Sequence, residues 1–559
     1  MRNNQVVHFC NKIVLAGFLA FVFTFNSHAQ RDGVSTVDSL DKSFLDWQNK
    51  DLKLDGIFGT SVNKTYSQIL STKIPKTKII VAVIDGGVDI DHDDLKGRIW
   101  TNEKEIPGNG IDDDHNGYID DIHGWNFLGN SKGENVNYET YECVRIKKKY
   151  DSLYSQIYSA TQVPLEQRSN YYMYWDSRKE YNELLDKYTT LKSNIDKFEI
   201  RIDTLNKIIT NYLGKKDFTV EELYSIKTTN KQVKLAKKYL IKIHKKGLTN
   251  NDLEEMKLED SIQLHYNLNL DFEPRKLISD STDDINDRNY GNNDVKGPDP
   301  FHGTFVSGII GAIRNNNIGI NGIADSVQIM VIRAVPNGDE RDKDVALAIY
   351  YAVENGARII NMSFGKSFSP GKKMIDDAIL YAQGKNVLFV QAVGNDSYNI
   401  DIKDQFPSRK ISDSLTVGNW INVGASTTKM NKNLCADFSN YGKSTVDLFA
   451  PGENMISLTT DNKYALESGT SFACPVVSGI AALILSYYPE LTALDLKRII
   501  EASCTANPSL KVYIPNDGTR KKKKTNFKNL SKTGGIPDAY KAFKIAEQYL
   551  KKSTVNSDQ

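Results

Sequence analysis

At 559 residues, with 40% hydrophobic and 25% charged side chains, the chain has an ordinary globular composition and is too long for a single hydrophobic core, so two or three folded units are expected. Lys and Arg number 71 against 70 Asp and Glu, a formal net charge of +1. That balance gives no overall field for nucleic acid or an anionic membrane, and charge therefore argues for neither as a partner.

In chain order, Arg2 and Lys12 precede an apolar run from Ile13 to Phe25 that closes on Ser27, His28 and Ala29. This basic, apolar, small-residue order predicts a secretory signal over 1–29, its apolar part falling short of the roughly twenty residues a membrane span needs. The remaining chain is expected to be exported, periplasmic or extracellular, with no membrane span. Cys143, Cys435, Cys474 and Cys504 are too scattered for a disulfide framework or a zinc site and are expected to be buried thiols. Residues 30–76, with Trp47, Asp51, Gly56 and Tyr66, are expected to form a short arm packed on the domain downstream.

Ile79 to Ile84 is an unbroken apolar run ending at Asp85-Gly86-Gly87, the pattern of a strand buried on both faces and a tight turn. Similar runs recur at Val327 to Ile332, Ile359 to Met362, Val387 to Ala392 and Ile421 to Gly424. Helical patterns lie between them, at Asp344 to Asn355 and Met374 to Gln383, each followed by a glycine. Alternating strand and helix predict an α/β fold with a parallel sheet covered by helices.

Soon after the first strand, Asp112-Asp113-Asp114-His115-Asn116-Gly117 offers oxygen ligands at alternate positions around a glycine turn. Asp112, Asp114, Asn116 and Asp121 are the candidate ligands of a structural calcium, although His123 stands where an EF-hand has its closing Glu. The α/β pattern then breaks after Asn130 and resumes near Gly297. Within the break, Tyr181, Leu184, Tyr188, Leu191, Ile195, Phe198, Ile202, Leu205, Ile209 and Tyr212 are spaced by three and four, which predicts one long helix with a narrow apolar seam. Cys143, Ile146, Tyr150, Leu153 and Ile157 repeat that spacing, and the Lys-rich stretch from Val220 to Lys246 suggests another helix. A lone seam is not stable by itself, so a coiled-coil-like helical insertion over 131–296 is expected, with the Asp-, Asn- and Gly-rich stretch from Asp280 to Asp299 as a flexible return linker.

Three patterns can carry chemistry. Asp85 ends a buried strand, where parallel sheets place their sites. His302-Gly303-Thr304 opens an apolar helix rich in small residues. Gly469-Thr470-Ser471-Phe472-Ala473-Cys474-Pro475 opens another, and because Pro is tolerated in a helix's first turn, Ser471 is expected at or just before the helix start. Taken singly, these are equally an acidic residue of a phosphate-handling or dinucleotide-binding fold, a structural histidine and a helix cap.

Together, and in the order Asp, His, Ser, they resemble the subtilisin-like serine proteases. Asp85-Gly86-Gly87-Val88-Asp89 matches that family's aspartate motif except that Gly86 stands for Ser or Thr. His302-Gly303-Thr304 matches the histidine motif, with Phe305 where a second His is frequent. Gly469-Thr470-Ser471 with Ala473 and Pro475 matches the serine motif. Asn395, in Ala392-Val393-Gly394-Asn395, corresponds to the oxyanion-hole asparagine. Asn361-Met362-Ser363-Phe364-Gly365 looks like the strand that pairs with substrate.

The resemblance implies a subtilisin-like three-layer α/β fold with a parallel central sheet, divided into 77–130 and 297–550, with 551–559 as a tail. It implies a serine endopeptidase acting on polypeptides, with Asp85, His302, Ser471 and Asn395 as catalytic residues. Ser363, Phe364, Gly365, Ala392, Val393 and Gly394 would bind substrate, and no cofactor would be needed for the chemistry. The insertion, falling between the aspartate and histidine motifs, would be a lid or a docking arm, or equally a solvated spacer or a dimerisation coil, since heptads report packing and not purpose. The competing reading is a non-catalytic scaffold of the same family, suggested by Gly86 and by the lack of a recognisable inhibitory propeptide between Gln30 and Pro75. A lipase-like esterase is disfavoured because Ser471 lacks the G-x-S-x-G glycines. Oligomeric state is not legible.

Overall fold

The computed structural model describes residues 33–247, 250–288, 290–507, 509–516 and 521–557. The expected signal over 1–29 lies outside the described residues. The chain divides into two compact units, a larger one of 30–142 and 273–559 and a helical one spanning Cys143–Phe272.

The larger unit is built on a seven-stranded sheet. Its strands are β1 (Ile79–Asp85), β2 (Gly124–Asn126), β3 (Val327–Arg333), β4 (Ile359–Met362), β5 (Leu388–Ala392), β6 (Trp420–Ser426) and β7 (Leu448–Pro451). Their order across the sheet is β2-β3-β1-β4-β5-β6-β7, and every neighbouring pair is parallel. β1 is apolar up to Asp85 because helices cover both its faces. Ile79, Val81 and Val83 join one core, shared with the helices Phe301–Gly311 and Thr470–Tyr487. Ala82 and Ile84 point the other way, into a core shared with Asp342–Glu354 and Lys372–Gly384. β3 divides its side chains in the same period of two, Ile329 and Val331 to the first core and Met330 and Ile332 to the second. Helix, sheet and helix make three layers.

From β1 the chain runs to strands on one side of it, and from β4 to strands on the other. The crevice at the carboxyl ends of β1 and β4 is thus the point where the winding reverses, the place where open parallel sheets bind ligands. The helix Thr470–Tyr487 is the one helix among the described residues long and apolar enough to cross a membrane, but 94% of that stretch is buried in the fold. Its apolar character serves the core.

The N-terminal arm is tied into this unit. Trp47 is fully buried and its indole N–H donates to the Asn454 carbonyl at 3.1 Å. Asp51 caps the turn Leu52–Asp55, which ends at Gly56 with φ +70. The Tyr66 hydroxyl donates to the Ile323 carbonyl and accepts from the Asp325 N–H, both at 3.0 Å. Val34 pairs with Tyr464 on the hairpin of β8 (Met455–Thr459) and β9 (Lys463–Glu467).

The return segment differs from expectation. Residues 273–296 belong to the sheet-bearing unit, and Asp280 and Asp287 are partners of a buried cation rather than parts of a solvated linker. Lys343, with no exposed side-chain surface, reaches Asp280 at 3.2 Å and Asp287 at 3.3 Å and donates to the Ser281 carbonyl at 2.7 Å. Arg275 joins Asp280 to the buried Asp344, which also accepts from the Tyr290 hydroxyl at 2.7 Å. Burial alone would raise the Asp280 pKa, but Arg275 and Lys343 together hold it below the usual carboxylate range. Asp280→Ala leaves two buried cations short of a partner, and a loss of about 3–5 kcal/mol is expected in chemical denaturation.

The helical unit is organised by one helix of 46 residues, Arg168–Leu213, stopped at Gly214 with φ +64. Tyr181, Tyr188, Leu191, Ile195, Phe198, Leu205 and Ile209 of the expected seam are buried, whereas Tyr212 is exposed. The helix Lys231–His244 lays Val233, Ala236 and Leu240 against Leu205 and Ile209. At the other end, Tyr154 and Val163 close over Tyr171 and Tyr174. All four described cysteines are free thiols, with Cys143, Cys435 and Cys474 buried.

Candidate active site

Asp85 is the last residue of β1 and is buried. Its carboxylate accepts from the Gly86 N–H at 2.8 Å, and the Gly86 carbonyl is held by Nε of the buried Arg333, also at 2.8 Å. The His302 helix can reach this turn because Gly303 has no side chain. A Cβ there would fall 2.1 Å from the Gly87 carbonyl oxygen and 3.2 Å from Asp85 Cβ. Thr304, the next residue, accepts from the Asp89 N–H at 2.7 Å and pins the helix to the same loop.

His302 is thereby brought onto Asp85. Its Nδ1 lies 2.9 Å from both carboxylate oxygens, so Nδ1 carries the proton and Nε2 is left as an acceptor. Burial opposes the imidazolium, but the charge and hydrogen bond of Asp85, with smaller contributions from Asp299 and Glu467, outweigh it and raise the pKa above the ordinary histidine value. The side chain stays 39% exposed, which leaves the ring open to a reactant.

Ser471 is the second residue of the helix Thr470–Tyr487, where backbone N–H groups lack helical acceptors and the dipole is positive. Pro475 lies inside that helix rather than in its first turn. Having no N–H, it cannot serve the Ser471 carbonyl four residues earlier, and the Ser363 hydroxyl donates to that carbonyl instead, at 2.8 Å. In return the Ser471 hydroxyl donates to the Ser363 carbonyl at 3.0 Å, not to His302. The His302 ring lies beside Phe472, the residue after Ser471, with centroids 5.6 Å apart. Asn361 supports this joint from below. Its Oδ1 accepts from the Ser478 hydroxyl at 2.8 Å, and its Nδ2 donates to the Ser363 hydroxyl at 3.0 Å.

Asn395 follows β5 and is exposed. Its Oδ1 accepts from both the N–H and the hydroxyl of Thr470, each at 2.9 Å. A backbone N–H can only donate, so the amide orientation is determined and Nδ2 faces away with its two hydrogens. Two donors, the Asn395 Nδ2 and the Ser471 N–H, are thus carried by adjoining segments.

The profile of the subtilase family, peptidase S8, matches residues 76–531. The chain belongs to the subtilase family. A thermophilic serine proteinase of Bacillus sp. (strain AK1) is 39% identical over 186 residues, covering 33% of this chain and 42% of its own length. Subtilisin Savinase of Lederbergia lenta is 30% identical over 275 residues, covering 48% of this chain and 90% of its own. Among solved structures, a cold adapted subtilisin-like serine proteinase is 30% identical, with 40% of this chain and 73% of that chain covered and a TM-score of 0.32. The chain spans less than half the length of the Bacillus proteinase.

The other residues singled out from the sequence fall into two groups in this subtilase. Among the described residues, no backbone hydrogen bond reaches Phe364 or Gly365, so the segment that leaves the carboxyl end of β4 beyond Ser363 offers free N–H and C=O groups to an extended chain. Ala392, Val393 and Gly394 are different, because their backbone groups are used internally. Gln405 donates to the Ala392 carbonyl at 3.1 Å and Asn440 to the Val393 carbonyl at 2.7 Å. The Val393 N–H reaches Val423 at 3.2 Å, and the Gly394 N–H reaches the Thr470 hydroxyl at 3.1 Å. That stretch can wall a pocket but cannot pair with substrate. Thr470, Arg333 and Gln405 are supporting residues that sequence reasoning does not assign; of these, only Thr470 sits within a recognisable motif. Gly86 also has a local reason, since a Cβ there would approach the Val335 carbonyl oxygen to 3.2 Å.

The acidic loop departs from the expected ligand set. Asp112 and Asp114 group with Glu105, their ligand oxygens within 4.8 Å of one another. Asp121 is turned inward. It accepts from the Tyr351 hydroxyl at 2.5 Å, from Asn102 at 2.9 Å and from Asn116 at 3.1 Å, and burial pushes its pKa up to about 6. Asn116 spends its Oδ1 on the Tyr118 N–H at 2.8 Å.

Proposed function

We propose that this subtilase is an exported serine endopeptidase in which Ser471 attacks the scissile carbonyl, His302 takes and returns the proton, and Asp85 holds the imidazole. The observation that carries the reading is the contact of both Asp85 oxygens with Nδ1 of His302 at 2.9 Å, at the carboxyl edge of the sheet and beside the serine helix. For the relay to close, the Ser471 hydroxyl leaves the Ser363 carbonyl for Nε2. Catalytic hydrogen bonds of this kind are often unformed until substrate binds. The imidazolium formed on attack is stabilised by the Asp85 carboxylate, and Nε2–H then protonates the leaving amine. Phe364 and Gly365 would align the polypeptide as an added strand. Export rests on the run from Ile13 to Phe25 behind Arg2 and Lys12.

The test is expression in an exporting host, followed by fluorophosphonate labelling of cell fractions and assays on casein and short-chain esters. A labelled band lacking residues 1–29 in the periplasm or medium, cleaving casein in preference to esters, is expected. A folded, exported protein that neither labels nor cleaves casein overturns the endopeptidase reading.

The developing oxyanion would be met by the Asn395 Nδ2 and the Ser471 N–H. Asn395→Ala is expected to lower kcat about 10²–10³-fold with little change in KM, since the lost donor acts on charge that appears only in the transition state. Steady-state kinetics on one peptide check this, and an effect confined to KM would assign Asn395 to substrate binding.

We further propose that Glu105, Asp112 and Asp114 would hold a structural calcium, with loop carbonyls and water completing a shell of six to eight oxygens. Calorimetry with calcium is expected to show binding, and the melting temperature is expected to rise. The absence of both would remove the site.

A further inference from the structure

The Lys-rich stretch after the long helix takes no part in the chemistry above. From Lys215 to Lys246 ten lysines stand against three carboxylates, Asp217, Glu221 and Glu222, in a chain whose net charge is only +1. Folding concentrates this charge. Because the helix Lys231–His244 buries Val233, Ala236 and Leu240, Lys234, Lys238 and Ile241 share another face, at spacings of four and three. With Ile226, Lys227, Thr228 and Lys237 they line an open cleft of about 540 Å³. Lys237 closes its inner end by donating to the Tyr224 and Ile226 carbonyls, both at 2.8 Å. Lys227, Lys234 and Lys238 are exposed, and none of the three has an ion-pair partner among the described residues.

Unpaired ammonium groups around an aliphatic floor suit an anion that also carries apolar side chains. We infer that this cleft is an exosite for acidic polypeptide segments with interspersed aliphatic residues, an inference that rests on the endopeptidase reading for its choice of polypeptide as the ligand. In such a segment the carboxylates can meet Lys227, Lys234 and Lys238 while the aliphatic groups settle on Ile226 and Ile241. A membrane-surface helix needs a free apolar face, and here that face is occupied by the long helix. Single-stranded nucleic acid is held on aromatic stacking platforms, and the cleft lining has none.

Binding is measured on the Ser471→Ala protein, so that the probe is not cut, by fluorescence anisotropy of a labelled peptide of alternating Glu and Leu. Binding that weakens with added salt is expected. The double variant K234E/K238E should weaken it by about tenfold or more, and Lys234→Gln with Lys238→Gln should weaken it less but in the same direction. The Gln variants keep helix propensity while removing the charge, and circular dichroism checks that both proteins are folded. Unchanged affinity in folded variants, or equal binding of a Gln-Leu peptide, overturns the exosite. Equal or tighter binding of phosphatidylglycerol vesicles or of oligo(dT) assigns the cleft to a membrane or a nucleic acid and overturns it as well. In the active protein, K234E/K238E should raise KM for an acidic protein substrate and leave kcat/KM for a short uncharged peptide unchanged. Failure of wild-type protein to cleave either substrate sinks the endopeptidase reading, whereas an unaltered KM for the acidic substrate sinks the exosite.

Discussion

Ser471→Ala is expected to lower kcat by about 10⁶-fold, the loss recorded when a relative's triad serine is removed, and to abolish fluorophosphonate labelling. The fold should barely respond. The substitution removes one side-chain hydrogen bond, from the Ser471 hydroxyl to the Ser363 carbonyl, at a cost of about 1 kcal/mol. The reciprocal bond, from the Ser363 hydroxyl to the Ser471 carbonyl, uses backbone and survives. Activity and stability therefore separate in this variant, which distinguishes a nucleophile from a helix-capping serine. A residual rate of about 10³–10⁴ over uncatalysed hydrolysis should remain, carried by oxyanion stabilisation and binding. Hydrolysis near wild-type rates by the purified variant, with denaturation unchanged, would refute the role given to Ser471.

The sheet is legible in the sequence at five of its seven strands, and β7, although apolar and buried, is not among them. β1, β3, β4, β5 and β6 each present an apolar run, because a parallel strand between two helical layers has no polar face to show. β2 is not legible. It is only Gly124, Trp125 and Asn126, and it is set by tertiary pairing so close that a Cβ at Gly124 would fall 1.7 Å from the Val331 carbonyl oxygen. The acidic return segment reads as a linker for a related reason. Asp, Asn and Gly report a local preference for turns, whereas Lys343, the cation that Asp280 and Asp287 share, is distant in sequence and buried in an apolar helix. Composition registers the charges but not the pairing.

The same distinction applies to the site. Asp85, His302 and Ser471 stand out because close approach demands particular neighbours, as Gly303 does against Gly87. What fixes their orientation is hidden. Thr470 sets the Asn395 amide through two hydrogen bonds, and Pro475 is accommodated one turn late because Ser363, just past the end of β4, supplies the missing donor. Motifs record where backbone permits contact, and long-range hydrogen bonds decide which atom faces the reactant.

Asp85→Asn is expected to lower kcat by about 10⁴-fold without unfolding the protein. A carboxylate can only accept, and it therefore keeps the proton of His302 on Nδ1 and leaves Nε2 free for the serine proton. An amide nitrogen facing Nδ1 would donate to it and favour the tautomer protonated at Nε2, which cannot act as the base. The variant should also move the acid limb of the pH profile. In the wild type the His302 pKa is raised, with Asp85 supplying most of the opposition to burial, so kcat/KM should fall as pH drops through a value above that of an ordinary histidine, because the protonated ring cannot accept. Without the carboxylate, burial prevails and the limb should shift to lower pH. Stability follows the opposite sense. The raised pKa contributes stability that is fully present below the unfolded histidine value and is lost as pH rises through the folded one, so the variant should be penalised most in acid. Profiles of kcat/KM for the two proteins, each beside a denaturation series over the same pH range, check both signs. An acid limb that stays in place, or a rate within tenfold of wild type, would mean that Asp85 does not govern the imidazole it touches.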